Sequence, residues 1–208
     1  MDGAGLRRIC RAVLRAGVAA LMMTAGAAVA QSRTAAYYGM EEAERDDGLL
    51  RDVMLDMHNE ERDSLGLAPL EWDDALAADA RAYARTMART GVFAHSNRAS
   101  RSVPSGENLW MGTRGLYDYE VMVGGFLDEK RLFRRGGRLP NISTTGRWQD
   151  VAHYTQIIWR TTRKLGCALG EGAGNDYLVC RYFPAGNAFG QGPLDADSGP
   201  RVLASGGR

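Results

Sequence analysis

The 208 residues contain three histidines, His58, His95 and His153, and imidazole is the side chain that most readily changes charge or binds a metal near neutral pH. Their surroundings differ. His95 lies in Phe93-Ala94-His95-Ser96-Asn97, within a stretch that also carries Ser100, Ser102, Pro104 and Ser105 and reads as a loop. His153 heads the octet Ala152-His153-Tyr154-Thr155-Gln156-Ile157-Ile158-Trp159, where Thr155, Ile157 and Trp159 alternate with Tyr154, Gln156 and Ile158. That alternation predicts a strand carrying one polar group to its end. His58 and Arg62 stand one helical turn apart, spaced for a shared partner, and a helical histidine with no second ligand nearby reads as structural. Two carboxylates complete the set. Glu107 sits between Gly106 and Asn108-Leu109, while Glu129 falls on one helical face with Tyr119, Met122, Phe126 and Phe133. A carboxylate on an apolar face must be paired or protonated, the alternative being an edge position held by Arg131 or Arg134. The steps from His95 to Glu107, Glu129 and His153 are 12, 22 and 24 residues and match no local metal motif. Ser96 beside His95 lacks the glycine frame of a nucleophile elbow, so no acyl nucleophile is signalled.

The elements that must position these groups are partly legible. Leu50, Val53, Met54, Met57 and Leu65 recur at helical spacing behind Asp46-Asp47, a capping pair, and the helix should stop near Gly66. A second, alanine-rich helix opens at Trp72-Asp73-Asp74, buries Leu76, Ala80, Tyr83 and Met87, and ends at Gly91. A third is expected from Leu116 to Phe133; its Gly124-Gly125 pair costs about 1 kcal/mol per glycine and suggests close packing or a bend. Residues 134–150 read as a mobile polar loop. Lys164 to Leu169 and Tyr177 to Phe183 read as a hairpin; if the pairing centres on its turn, Cys167 falls opposite Cys180, two lone core thiols being the alternative to a disulfide. A disulfide there would stabilise by about 3 kcal/mol on the chain-entropy estimate.

Four segments together resemble one known family. They are the octet, His58-Asn59-Glu60-Glu61-Arg62, Gly106-Glu107-Asn108-Leu109, and Tyr177-Leu178-Val179-Cys180-Arg181-Tyr182-Phe183-Pro184-Ala185-Gly186-Asn187. In type and order they resemble the CAP superfamily, the SCP domain of cysteine-rich secretory proteins, antigen 5 and pathogenesis-related class 1 proteins. The resemblance covers Asp46 to Gln191. It implies an α+β fold, a three-layer α-β-α sandwich with a central antiparallel sheet, and a central cleft in which His95, Glu107, Glu129 and His153 converge. Two imidazoles and two carboxylates so placed could bind zinc or another divalent cation through His95 and His153. They could run metal-assisted hydrolysis with Glu107 or Glu129 as base, or form a hydrogen-bonded network lining a binding cleft. The first expectation is ligand binding without established catalysis; a metal-dependent hydrolase or peptidase and a sterol or fatty-acid binder are the alternatives. Ala152, Phe126 and Ala188 depart from the residues usual at those places, changes that bear on the cleft walls rather than the fold.

Composition frames the rest. Arg7, Arg8, Arg11 and Arg15 precede the apolar run Ala16 to Val29, and Ala28-Val29-Ala30 offers a small-residue cleavage site: a signal peptide over residues 1–30, cut near Ala30, directing the chain to the periplasm or outside. The run is too short for a stable transmembrane anchor. Of 26 Lys and Arg and 25 Asp and Glu, 22 and 24 remain after that cut. Such balance gives nucleic acid no basic face; a small ligand, a lipid or an extracellular protein is the expected partner. Residues 31–45 read as an arm, 46–191 as the domain and 192–208 as a disordered tail.

Overall fold

The computed structural model describes residues 43–195; the expected signal peptide, most of the arm and the last part of the tail lie outside them. Helix α1 runs Asp47–Ser64, and the Asp46 side chain caps it by accepting from the Leu49 amide. Strand β1, Glu71–Trp72, leads into helix α2, Asp74–Thr90, capped by Asp73 and closed by Gly91 in the left-handed region at φ 71°. Strand β2 is Gly106–Thr113 and helix α3 is Tyr119–Leu127. Strands β3, Phe133–Arg138, and β4, Asn141–Ser143, form a separate two-stranded ribbon. Helix α4 is Ala152–Ile157, and strands β5, Lys164–Glu171, and β6, Asn175–Phe183, finish the sequence of elements.

The four-stranded sheet has the order β1-β5-β6-β2, with β1 parallel to β5 and the other pairs antiparallel. Strand alternation then sorts the layers. Leu165, Cys167, Leu178, Cys180 and Tyr182 pack with Leu50, Met54, Met122, Phe126 and Tyr154 from α1, α3 and α4. Ala168, Tyr177 and Val179 face the other way, against Ala80, Ala84 and Met87 of α2. Gly166 and Gly170 lie on that second face; a Cβ on either would come within 2.4 Å of the α2 backbone, so these glycines are what lets the helix sit on the sheet. This is the expected α-β-α sandwich. Cys167 pairs with Cys180 in the β5–β6 register, and the two form the disulfide. Among the described residues no helix is long and apolar enough to cross a membrane.

Several local expectations fail. The octet is helical, not a strand: Ala152–Ile157 form α4, whose buried Tyr154, Thr155, Gln156 and Ile157 face partners on all sides. Burial of these four of its six residues erases the polar face by which a helix shows its period, and a six-residue segment is too short to decide otherwise. The third helix ends at Leu127, passes into a 3-10 turn at Asp128–Leu132 and gives Phe133 to β3. Neither Gly124 nor Gly125 is closely approached, so they mark no tight packing. Residues 134–150 are the β3–β4 ribbon with its own small core of Leu139, Ile142, Val151 and Trp159, not an unstructured loop. At the other end Gly192 and Pro193 are buried and Leu194 packs on the main core, so the ordered domain extends past residue 191.

Candidate functional site

The four predicted polar residues form two pairs. In the first, His95 Nδ1 stands 2.7 Å from Glu107 Oε1, with the imidazole 64% exposed and the carboxylate 1% exposed. The loop after α2 delivers His95, and Tyr83 Oη holds it by donating to the Ala94 carbonyl. The same Glu107 oxygen accepts from the Ser96 amide at 3.0 Å and Arg101 Nη2 at 3.2 Å, while Oε2 accepts from Ser96 Oγ at 2.7 Å and from Arg181 Nη1. Arg181 sits directly across from Glu107 in the β2–β6 register. Burial pushes the Glu107 carboxyl up, but the bonds from His95 and Ser96 and the charges of Arg181 and Arg101 outweigh it and hold the group below its ordinary range. Asp79 Oδ2 lies 3.0 Å from Arg181 Nε without hydrogen-bond alignment, so it contributes charge rather than a directed bond.

The second pair is built from helix ends. Glu129, in the 3-10 turn, accepts from His153 Nδ1 at 2.6 Å on Oε1 and from the amides of His153 and Tyr154 at 2.9 and 3.0 Å on Oε2. These amides belong to the first turn of α4, where helix N–H groups lack internal partners. The His153 ring stacks on Phe126, with centroids 4.7 Å apart and planes at 24°. The apolar-face carboxylate thus finds its partner in His153, not in Arg131 or Arg134.

Strand β2 links the pairs. Glu107 holds His95 on the α2 side, and the next residue, Asn108, donates from Nδ2 to the His153 carbonyl at 3.1 Å on the opposite side. Asn108 Nδ2 also donates to Tyr182 Oη at 3.1 Å, and that hydroxyl lies 2.8 Å from His58 Nε2. His58 is fully buried, and burial lowers its pKa from 6.5 to about 4, so it is neutral. With Nε2 as acceptor, the Tyr182 hydroxyl donates to it. Arg62 does not share this partner. It donates to the carbonyls of Ala68, Ile157, Trp159 and Thr162, tying α1 to the end of α4, while Asn59 brackets the Leu70 main chain. His58, Asn59 and Arg62 therefore act inside the scaffold.

A family model of CAP, described as the cysteine-rich secretory protein family, matches residues 55–182. The chain belongs to the CAP family. Pathogenesis-related protein 1C of Nicotiana tabacum is 34% identical over 140 residues, covering 67% of this chain and 77% of that protein. Pathogenesis-related protein 1 of Arabidopsis thaliana is 32% identical over 140 residues, covering 67% and 79%. Among solved structures, that of NaASP2 with Zn2+ superposes with a TM-score of 0.58 at 28% identity, over 72% of this chain and 88% of that one.

In this CAP domain each carboxylate accepts from an imidazole Nδ1, which places the proton on Nδ1 and leaves a lone pair on Nε2 of the neutral ring. Both histidines are thereby set as Nε2 donors. Among the described residues no three or more His, Cys, Asp or Glu side chains are grouped to hold a metal; the carboxylates stand behind the imidazoles, on Nδ1. Arg101 was not singled out from sequence, and Ser96, Asn108 and Arg181 were named there without the partners the structure gives them. Arg181 had a signal: a cation inside the apolar run Tyr177 to Phe183 needs a buried partner.

Proposed function

We propose that this CAP domain belongs to an exported protein that binds a ligand through the two Nε2 atoms of His95 and His153, with zinc or a similar divalent cation as the inorganic partner. One observation carries the reading: in both pairs Nδ1 is anchored on a carboxylate, which is how metal-binding histidines are usually oriented from behind. The donor set fits zinc as far as two neutral imidazoles go, and water or ligand would fill the remaining positions. When bound, the ion would polarise a ligand oxygen. NaASP2, whose structure was solved with Zn2+, supports the choice of ion. Export is supported by the family's description as secretory.

Binding is favoured over turnover by the state of the carboxylates. Glu107 already accepts five hydrogen bonds and is held below its ordinary pKa range, while Glu129 accepts three hydrogen bonds; carboxylates so engaged make poor general bases. The test is calorimetric titration of the full chain with zinc beside a His95→Ala/His153→Ala variant. Stoichiometric binding that disappears in the variant is expected. Equal heats from both proteins would remove the histidines from the reading, and no binding to the native chain would remove the metal.

A further inference from the structure

We infer that Glu61 is a positioning residue for the His153–Glu129 pair, an inference that rests on the binding reading above. Glu61 lies in the last turn of α1 with its side chain 13% exposed. Its two oxygens leave their own helix in different directions. Oε1 accepts from Tyr154 Oη at 2.8 Å, and Oε2 accepts from Lys130 Nζ at 2.9 Å. Tyr154 follows His153 in the chain, and Lys130 follows Glu129. One carboxylate therefore holds the residue next to each member of the pair, from a third element that belongs to neither.

Glu129 closes the circuit, since its Oε2 accepts from the amides of both His153 and Tyr154. The result is a ring running from Glu61 through Tyr154 to Glu129, along one peptide to Lys130, and back to Glu61. Such a ring fixes the separation of the 3-10 turn and the first turn of α4, which is the separation the imidazole-carboxylate bond depends on. The two arms differ in stiffness. Tyr154 is buried, with its ring edge-on to Phe133 at 5.4 Å, and burial together with the Glu61 bond raises its hydroxyl pKa so that it stays a donor. Lys130 is 54% exposed, so its arm is a screened surface pair and the softer of the two.

A merely structural role for Glu61 predicts a uniform loss of stability when it is changed. Positioning predicts a local one. Amide hydrogen exchange followed by NMR separates them, with His153 and Tyr154 as reporters and the β6 amides as internal reference. In Glu61→Ala, exchange at the two reporters should accelerate about tenfold while β6 is unchanged, and zinc affinity should weaken by several-fold. Glu61→Gln, which can still accept from Tyr154 but loses the charge that holds Lys130, should give a smaller acceleration at the same two amides. If Glu61→Ala fails to fold, Lys130→Met cuts only the exposed arm, and the same local pattern is required of it. Unchanged reporters, or equal acceleration across β6, would overturn the inference. Altered exchange with native zinc affinity would also overturn it, since the clamp would then not serve binding. Absence of zinc binding by the unmodified chain would instead strike the binding reading, with the exchange pattern still judging the clamp.

Discussion

The His95–Glu107 and His153–Glu129 pairs use the same two residue types and the same Nδ1 contact, yet the fold builds them by opposite means. Glu107 is sealed at the sheet edge and neutralised by the guanidinium groups of Arg101 and Arg181, with its imidazole left out in solvent. Among the described residues Glu129 meets no guanidinium; it is held by two helix-end amides, and its imidazole is half-buried against Phe126. In the first pair the carboxylate's charge is spent on arginines. In the second it would remain available to the cation proposed at His153. A shared residue pattern thus hides two electrostatic designs, and the difference can be measured.

The largest expected effect tests the first design. Arg181 is 2% exposed and faces both Glu107 and Asp79. Arg181→Met would leave Asp79 without this cation and Glu107 with Arg101 alone, a loss of about 3–5 kcal/mol. Glu129→Gln, which removes a carboxylate charge but no cation, should cost much less. Denaturant unfolding of the two variants side by side checks the contrast, and equal losses would mean that the arginines do not set the pairs apart.

Acid should attack the two sides in different windows. His58 supports the His153 side through Tyr182 and Asn108. Its folded pKa of about 4 lies below the ordinary 6.5, so the unfolded chain takes up the proton first. The associated stability is complete above pH 6.5, falls by about 3 kcal/mol as pH drops to 4, and levels off below. Glu107 has the same proton bookkeeping in a lower window: its stabilisation is present above pH 4.5 and is lost only below that, as its lowered folded pKa is crossed. Stability measured from pH 7 to 4 in the native chain and in His58→Gln should show the upper limb flattened in the variant. An unchanged limb would remove His58 from the account.

The same contrast explains what the sequence could reveal. Caps, apolar stripes and turn residues announced α1, α2 and the β5–β6 hairpin with its disulfide, because each is a local pattern that burial on one face leaves visible. Helix α4 was hidden because nearly all its faces are buried, and the β3–β4 ribbon was hidden because its glycines and arginines read as a loop. The four polar residues were singled out one at a time, but their convergence came only from family resemblance, and their pairing only from the structure. The partners that distinguish the pairs are set by strand register, as in Arg181 opposite Glu107, or by packing of α1 on α4, as in Glu61, and neither is local in sequence.

Zinc affinity should follow the charge left on each side. His153→Ala is expected to weaken binding more than His95→Ala, since Glu129 still carries uncompensated charge behind His153. Removing that support by Glu129→Gln should cost about 10–100-fold, the usual scale for a group behind a metal-binding histidine. Glu107→Gln should cost less through charge, because the arginines already cancel it. Calorimetry on the four single variants tests the order, and a larger loss at His95 or Glu107 would reverse the assignment of roles.

The smallest effect separates the two imidazoles as packing groups. His95 is mostly in solvent, where a pair is screened and the ring buries little, so His95→Ala should change stability by no more than about 0.5 kcal/mol. His153 also gives up its stack on Phe126 when truncated, which adds about 1 kcal/mol. Phe126→Leu supplies the control: with the ring beneath it gone, His153→Ala should lose part of that extra cost, whereas His95→Ala should be unaffected by the background. A double-mutant cycle on unfolding free energies reads the difference directly. Coupling of Phe126 to His153 but not to His95 is the required pattern; equal coupling to both would mean that the pairs share one packed site, and the division drawn between them would fall.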